Sequence, residues 1–227
     1  MAYLMKISQT TIVNVLITTP MGGWLLLTKT ISRPKKGGFF CYKFYFSMNQ
    51  STFPFSFFSK KFVKTEDAKV SIMTNALQYG NGVFGGIRGY YNKSKKALFI
   101  FRLDDHFERF LNALKILGVS IPYSKKQLKE IVVNLAKKNQ PTTDSYFRPF
   151  AFASSDNISP NLDRDEVFNF CLFMISLGEY LPTNIGISAM VSSWRRVSDN
   201  SIPARAKISG AYVNSSLAKK RGDWPRI

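Results

Sequence analysis

The stretch Leu77-Gln78-Tyr79-Gly80-Asn81-Gly82-Val83-Phe84-Gly85-Gly86-Ile87-Arg88 decides how this chain is read. Within it, Gly80-Asn81-Gly82-Val83-Phe84-Gly85 satisfies Gly-x-Gly-x-x-Gly, the spacing of a dinucleotide-binding turn. Such a turn follows a strand and opens a helix, with an acid about 20 residues further on. Asp104 stands at a suitable distance, but Gly86-Ile87-Arg88-Gly89-Tyr90-Tyr91 is no helix opening. A kinase glycine-rich loop lies in a β-hairpin and suits Phe84 and Ile87 better. It requires a strand lysine, a His-Arg-Asp loop and an Asp-Phe-Gly motif. The sequence has neither motif, and Ala97–Arg102 offers no lysine. The glycines are therefore read as allowing a tight turn and close backbone approach beside a pocket.

Working outward, Val83–Tyr91 and Ala97–Arg102 are rich in β-formers and flank Asn92-Lys93-Ser94, which predicts a hairpin. Upstream, Phe62–Met73 reads as two short extended segments turned at Glu66-Asp67. Downstream, Leu103, Phe107, Phe110, Leu111, Leu114 and Leu117 recur at helical spacing. Asp104, Asp105 and Glu108 favour the positive end of that helix, and Gly118 stops it. Ser124 and Gln127 form a capping box opening a second helix through Leu128, Ile131, Val132 and Leu135. Extended runs follow at Ser145–Ala153, Val167–Ile175 and Ile185–Ser193, and Gly210–Lys219 begins a third helix. Strands, two helices, then strands again predict an α+β domain with helices packed on one sheet.

The chain has 227 residues and a net charge of +18, because 14 acids face 32 basic residues. The first acid is Glu66; residues 1–65 carry nine basic residues and no carboxylate. The basic residues are spread along the chain and no nucleic-acid motif accompanies them, so a nucleic-acid partner is not expected. Cys41 and Cys171 make neither a disulfide framework nor a metal cluster, and the single His106 argues against a His-based metal site. A reducing, cytoplasmic compartment is expected. Residues 1–47 mix an apolar run, Thr11–Leu27, with a basic tail, Arg33–Gly38. The run approaches the length of a membrane span, but Pro20, Gly22 and Gly23 interrupt it, and no membrane partner is expected. Residues 1–47 are read as upstream sequence before a start at Met48, with a signal or organellar targeting segment as the alternatives.

A further likeness lies in the order of the motifs. Leu77-Gln78-Tyr79-Gly80-x-Gly82-Val83-Phe84-x-Gly86-Ile87-Arg88 is followed by Ile100-Phe101-Arg102-Leu103-x-x-His106-x-x-Arg109. Next come Ile121-Pro122-Tyr123-Ser124, Tyr146-x-Arg148-Pro149 and Ser192-Ser193-Trp194-x-Arg196. The series closes with Pro203-x-x-Ala206-Lys207-x-x-Gly210-x-Tyr212-x-Asn214-Ser215-x-Leu217-Ala218-Lys219. Together, over residues 60–219, these resemble the N-terminal half of branched-chain amino acid aminotransferases, which are fold type IV pyridoxal-phosphate enzymes.

The resemblance implies transamination of leucine, isoleucine or valine with 2-oxoglutarate, using pyridoxal 5'-phosphate. Relatives of the same architecture act on D-amino acids or aminodeoxychorismate. It implies that Lys207 holds the cofactor covalently and then serves as general acid and base. Arg109 would hold the cofactor phosphate, and Tyr212 its phenolic oxygen. Phe84, Leu177 and Tyr180 would line an apolar substrate pocket. Arg88 and Arg148, with Tyr79 and Tyr146, would take the substrate carboxylates. A homodimer is also implied. Residues 48–195 would form the small α+β domain, and 196–227 the interdomain loop and truncated start of a large cofactor-binding domain. Two positions depart from the family: Gln78 stands where histidine is usual, and Gly85 where glutamate is usual. After Lys207 the one acid is Asp223, so the carboxylate that keeps the cofactor ring nitrogen protonated is expected beyond Ile227. On that ground a catalytically inactive fragment is the alternative expectation.

Overall fold

The computed structural model describes residues 10–18, 24–32, 51–162, 167–178 and 191–222. The chain divides into two compact units, Met1–Asn49 and Gln50–Ile227. In the first, β1 (Thr10–Thr18) and β2 (Trp24–Ser32) pair antiparallel from Thr10↔Ser32 to Thr18↔Trp24. The apolar run Thr11–Leu27 is thus shared between two strands. Ile12, Val13, Val15 and Ile17 suit that geometry, since branching at Cβ favours extended backbone. Among the described residues no helix is long and apolar enough to cross a membrane.

The second unit opens with β3 (Phe55–Phe58) and β4 (Lys61–Lys64), a hairpin turned at Ser59 and Lys60 with φ of 48° and 66°. Expectation and structure differ here. The extended pair lies upstream of the predicted turn, and Thr65–Asp67 forms one turn of 3-10 helix instead. The reason is a contact 12 residues back: Thr65 Oγ1 donates to the Phe53 carbonyl at 2.7 Å and ties the end of the hairpin to the segment before it. A short helix that sequence periodicity does not reveal, α1 (Asn75–Tyr79), follows. Five residues cannot show a 3.6-residue repeat. Its anchor is the buried Asn75, whose amide nitrogen donates to Ser155 Oγ and Asn157 Oδ1, each at 2.9 Å.

The remaining elements follow the expected order. They are β5 (Gly82–Phe84), β6 (Ile87–Asn92), β7 (Ala97–Ile100), α2 (Leu103–Ile116), α3 (Lys125–Asn139), β8 (Ser145–Phe152), β9 (Asn169–Ser176) and α4 (Tyr212–Gly222). The expected run Ile185–Ser193 falls largely outside the described residues. Strand order is β4-β3-β9-β8-β6-β7, every pairing is antiparallel, and β5 pairs with β8. The β6–β7 turn is held by Asn92, whose Oδ1 accepts from the Lys95 amide at 2.9 Å.

The expected single strand Val83–Tyr91 is two strands in one register against β8, from Gly82↔Phe152 to Gly89↔Ser145. The ladder breaks at Gly85 and Gly86, next to Pro149 of β8, which has no N–H to contribute. The expected tight turn is confined to Gly80–Gly82, where Gly80 is left-handed at φ 72° and the Gly82 amide donates to the Gly80 carbonyl at 2.9 Å; the later glycines lie in or between strands. Glycine here admits side chains: a Cβ on Gly82 would lie 2.5 Å from the Phe150 ring, and one on Gly85 2.7 Å from Pro149 Cγ.

One face of the sheet is the core face. Val83, Ile87, Phe147, Ala151, Leu172 and Met174 pack there against Phe107, Phe110 and Leu114 of α2 and Leu128, Val132 and Leu135 of α3. Each such side chain contributes about 1.5–3 kcal/mol by leaving water. The N-terminal acids of α2 tie the two helices, with Asp104 accepting from Lys129 Nζ at 2.7 Å. The pair is exposed and contributes little. Ser124 and Gln127 form the capping box of α3. Replacing Ser124 by alanine is expected to cost about 1 kcal/mol. In urea unfolding the midpoint should fall with the slope unchanged.

Candidate functional site

Side chains alternate across a strand, so pairing register decides which residues share a face. Phe84 lies opposite Phe150 and Arg88 opposite Tyr146. Phe84, Arg88, Tyr146 and Arg148 are therefore all on the sheet face away from α2 and α3. Lys207 reaches this face because residues 207–209 continue the sheet along the free edge of β5. The Phe84 amide donates to the Lys207 carbonyl at 3.0 Å, and the Ser209 amide to the Gly82 carbonyl at 2.8 Å. The bridge Val83↔Ile208 sends Ile208 into the core, and the alternation turns Lys207 to the side of Phe84.

Two further contacts fix this docking. Ser209 Oγ donates to the Gly80 carbonyl at 2.7 Å. Gly80 ends α1 in the left-handed region at φ 72°, and a Cβ there would lie 2.9 Å from Gly210 Cα. Glycine at 80 thus serves both backbone conformation and close approach. Immediately after Gly210, α4 begins at Tyr212 and brings its ring back over the lysine.

The result is a compact cluster. Lys207 Nζ donates to Tyr212 Oη at 2.6 Å. The amine lies 4.9 Å from the Phe84 ring centre and 5.1 Å from that of Tyr212, and the two rings are 4.8 Å apart. The Arg148 guanidinium sits 4.6 Å from the Phe84 ring centre and 5.1 Å from that of Tyr146. Arg148 Nε is buried and has no hydrogen-bond partner among the described residues. A buried charged donor left unpaired is costly, so it is poised for an acceptor.

Lys207 also faces a second group of cations. A cavity of about 30 Å³ is lined by Phe84, Gly85, His106, Arg109, Phe110, Ala113, Arg205 and Lys207. All four ionisable groups in this wall are basic. Arg109 Nη2 lies 3.3 Å from His106 Nδ1, one helical turn away. Burial holds the His106 imidazole below its ordinary range, and the positive charge of Arg109 adds to that effect. Such a wall of basic groups suits an anion, and the amine of Lys207 stands at its edge.

Other expected site residues lie elsewhere. Arg88 donates through both terminal nitrogens to the Gly178 carbonyl at 3.1 Å and lies 4.0 Å from Asp144. Leu177 is buried beside that contact, at the end of β9. Tyr79 is 37% exposed on α1. Tyr180 lies outside the described residues. A larger groove, about 430 Å³, includes Phe58, Val70, Leu77, Phe150, Phe173 and Cys171 in its wall. It offers no reactive group, because burial pushes the Cys171 thiol up to about 12.

Residues 82–221 match the family described as amino-transferase class IV. The chain belongs to that family. Among its curated relatives, a probable branched-chain-amino-acid aminotransferase of Aquifex aeolicus is 43% identical over 165 residues, covering 73% of this chain and 53% of the relative. One of Synechocystis is 41% identical over 170 residues, with the same two shares. The chain thus spans about half the length of the curated relatives it matches. Among solved structures, the branched-chain aminotransferase of Thermoproteus uzoniensis with norvaline superposes with a TM-score of 0.69 at 37% identity, over 76% of this chain and 58% of that one. The T.th. branched-chain enzyme, solved with pyridoxamine 5'-phosphate, gives 0.69 at 33% identity, over 74% and 55%. The antiparallel sheet with its helices is therefore the N-terminal domain fold of a fold type IV aminotransferase.

For this class IV chain, two ionisable residues of the cavity wall had no role assigned from sequence. His106 stands inside a quoted motif, three residues before Arg109, and that spacing is its signal. Arg205 has no local signal, since only folding brings it to α2. Gly85, where the family usually carries glutamate, leaves the wall without a carboxylate and makes room for Pro149. Gly80→Ala is expected to lower stability by about 2 kcal/mol, from the left-handed backbone and the contact with Gly210. Hydrogen exchange at the Phe84 and Ser209 amides should accelerate, because their partners lie across the loosened edge.

Proposed function

We propose that this chain carries the lysine-bearing part of a pyridoxal-phosphate-dependent aminotransferase acting on leucine, isoleucine and valine with 2-oxoglutarate. The observation that carries this reading is Lys207 Nζ bonded to Tyr212 Oη at 2.6 Å in the wall of the cavity that also holds Arg109. The relatives' names support the substrate class, and the T.th. structure with N-(5'-phosphopyridoxyl)-L-glutamate supports both the cofactor and glutamate as amino donor.

The donor set fits the cofactor at two ends. Lys207 supplies an amine to bond its aldehyde, and Arg109 a guanidinium for its phosphate. The enclosed space, about 30 Å³, holds roughly one water, so these residues supply contacts rather than a complete enclosure. When bound, the cofactor supplies the electron sink that makes the substrate α-proton acidic. The chain's own residues do the rest. Lys207 Nζ would hold the cofactor at its aldehyde carbon and would also carry the proton to and from the substrate α-carbon. Tyr212 Oη orients that amine. Arg148, with its buried unpaired Nε, takes a substrate carboxylate beside Tyr146. Phe84 excludes water and offers an apolar surface to the branched side chain. Arg88, bound to Gly178, and the buried Leu177 form the far wall of the substrate site, and a homodimer is the proposed assembly.

Borohydride reduction of the full chain with pyridoxal 5'-phosphate should lock the cofactor onto one peptide. Mass spectrometry is expected to place it on Lys207 and to find it absent in Lys207→Ala. Attachment spread over surface lysines, equal in both proteins, would overturn the reading. With leucine and 2-oxoglutarate, turnover should be abolished by the same substitution.

A further inference from the structure

His106 is the one histidine of the chain, and the chemistry proposed above gives it no part. Yet it is half-buried, stands in the wall of the cationic cavity, and touches Arg109. Arginine has only donors and does not lose its proton. The 3.3 Å contact is therefore a hydrogen bond only if Nδ1 carries a lone pair, with the proton on Nε2. Among the described residues Arg109 lies within ion-pair distance of no carboxylate, although Asp105 and Glu108 share its helix. Its side chain is long and exposed, and among the described residues its one side-chain hydrogen-bond partner is His106. The imidazole is what holds it to the cavity side of α2.

We propose that His106 is the positioning residue of an anion subsite, its neutral Nδ1 accepting from Arg109 so that the guanidinium is held at the cavity wall for a phosphate group. This rests on the reading of Arg109 as the phosphate cation, and it adds a residue that acts through Arg109. The groups facing His106 explain why the neutral form persists. Arg102 and Arg109 on its own helix, and Arg205 and Lys207 from the loop across the cavity, are positive; Asp105 is the one opposing charge. Burial acts in the same direction as these cations. A protonated imidazole would lose the lone pair and repel Arg109, so the hold exists above the imidazole pKa and is lost below it.

Because His106 is unique, its ring proton signal in NMR needs no assignment by mutation. In the full chain it should titrate below the ordinary histidine value of about 6.5. In Arg109→Met the midpoint should rise by about half a unit or more, since a like charge and a donor to the neutral form are both removed. An unmoved midpoint would overturn the contact. The second arm uses inorganic phosphate as the probe, titrated calorimetrically at pH 8, where the imidazole is neutral. His106→Asn keeps an acceptor at the Nδ1 position and should bind within about threefold of the parent. His106→Leu fills the same space without an acceptor and should bind roughly tenfold more weakly. Equal affinity in all three, an asparagine variant as weak as leucine, or no binding to the parent at millimolar phosphate would each overturn the proposal. Phosphate binding does not require Lys207. A failure of cofactor trapping with the Asn–Leu difference intact therefore removes the proposed function and leaves this inference standing.

Discussion

The site depends on one piece of backbone pairing, the addition of residues 207–209 to the free edge of β5. Two amide hydrogen bonds, Phe84 to Lys207 and Ser209 to Gly82, join segments far apart in the chain. The period of two then acts without further instruction. Ile208 must enter the core, and Lys207 must face the side of Phe84 and Arg148. Shifting this pairing by one residue would bury the amine and expose Ile208. The energy that prevents the slip is apolar: Ile208 and Ala206 are both buried with Val83.

The glycines around that edge are best understood through what they admit. Gly82, Gly85 and Gly89 each leave room for a side chain of a neighbouring strand, respectively Phe150, Pro149 and Leu98. Gly80 alone combines a left-handed backbone with a close approach, to Gly210. A motif with the spelling of a phosphate loop is here a strand whose missing side chains let the sheet and the lysine-bearing segment close on one another.

Charge in the site is sorted by element. Arg88 is consumed by the Gly178 carbonyl and stabilises the end of β9. Arg148, on the same face, keeps a buried donor unpaired between two aromatic rings. Arg109 comes from the opposite side of the sheet, from α2, and meets Lys207 across a small cavity past the end of β5. Three arginines of similar promise in the sequence thus differ in what each has left to offer a ligand.

Much of this was legible beforehand. The repeat of Leu103, Phe107, Phe110 and Leu114 set α2, the Ser124–Gln127 pair set the start of α3, and the antiparallel strands followed from β-rich runs between turn residues. Those are local signals, carried by propensity and spacing. The order of the motifs also pointed to the class IV aminotransferases and to Lys207, Tyr212 and Arg109 as residues to watch. What sequence could not carry were the events that depend on distance in space. Thr65 bonding back to Phe53, and Asn75 gripping the 155–157 loop, moved a hairpin upstream and created a short helix without periodicity. The separation of Arg88 from Arg148, and the meeting of His106 and Arg109 with Lys207 and Arg205, were decided by strand register and by the seating of α2. Spacing along a strand or helix tells which residues share a face; only the packed sheet and helix settle what that face meets.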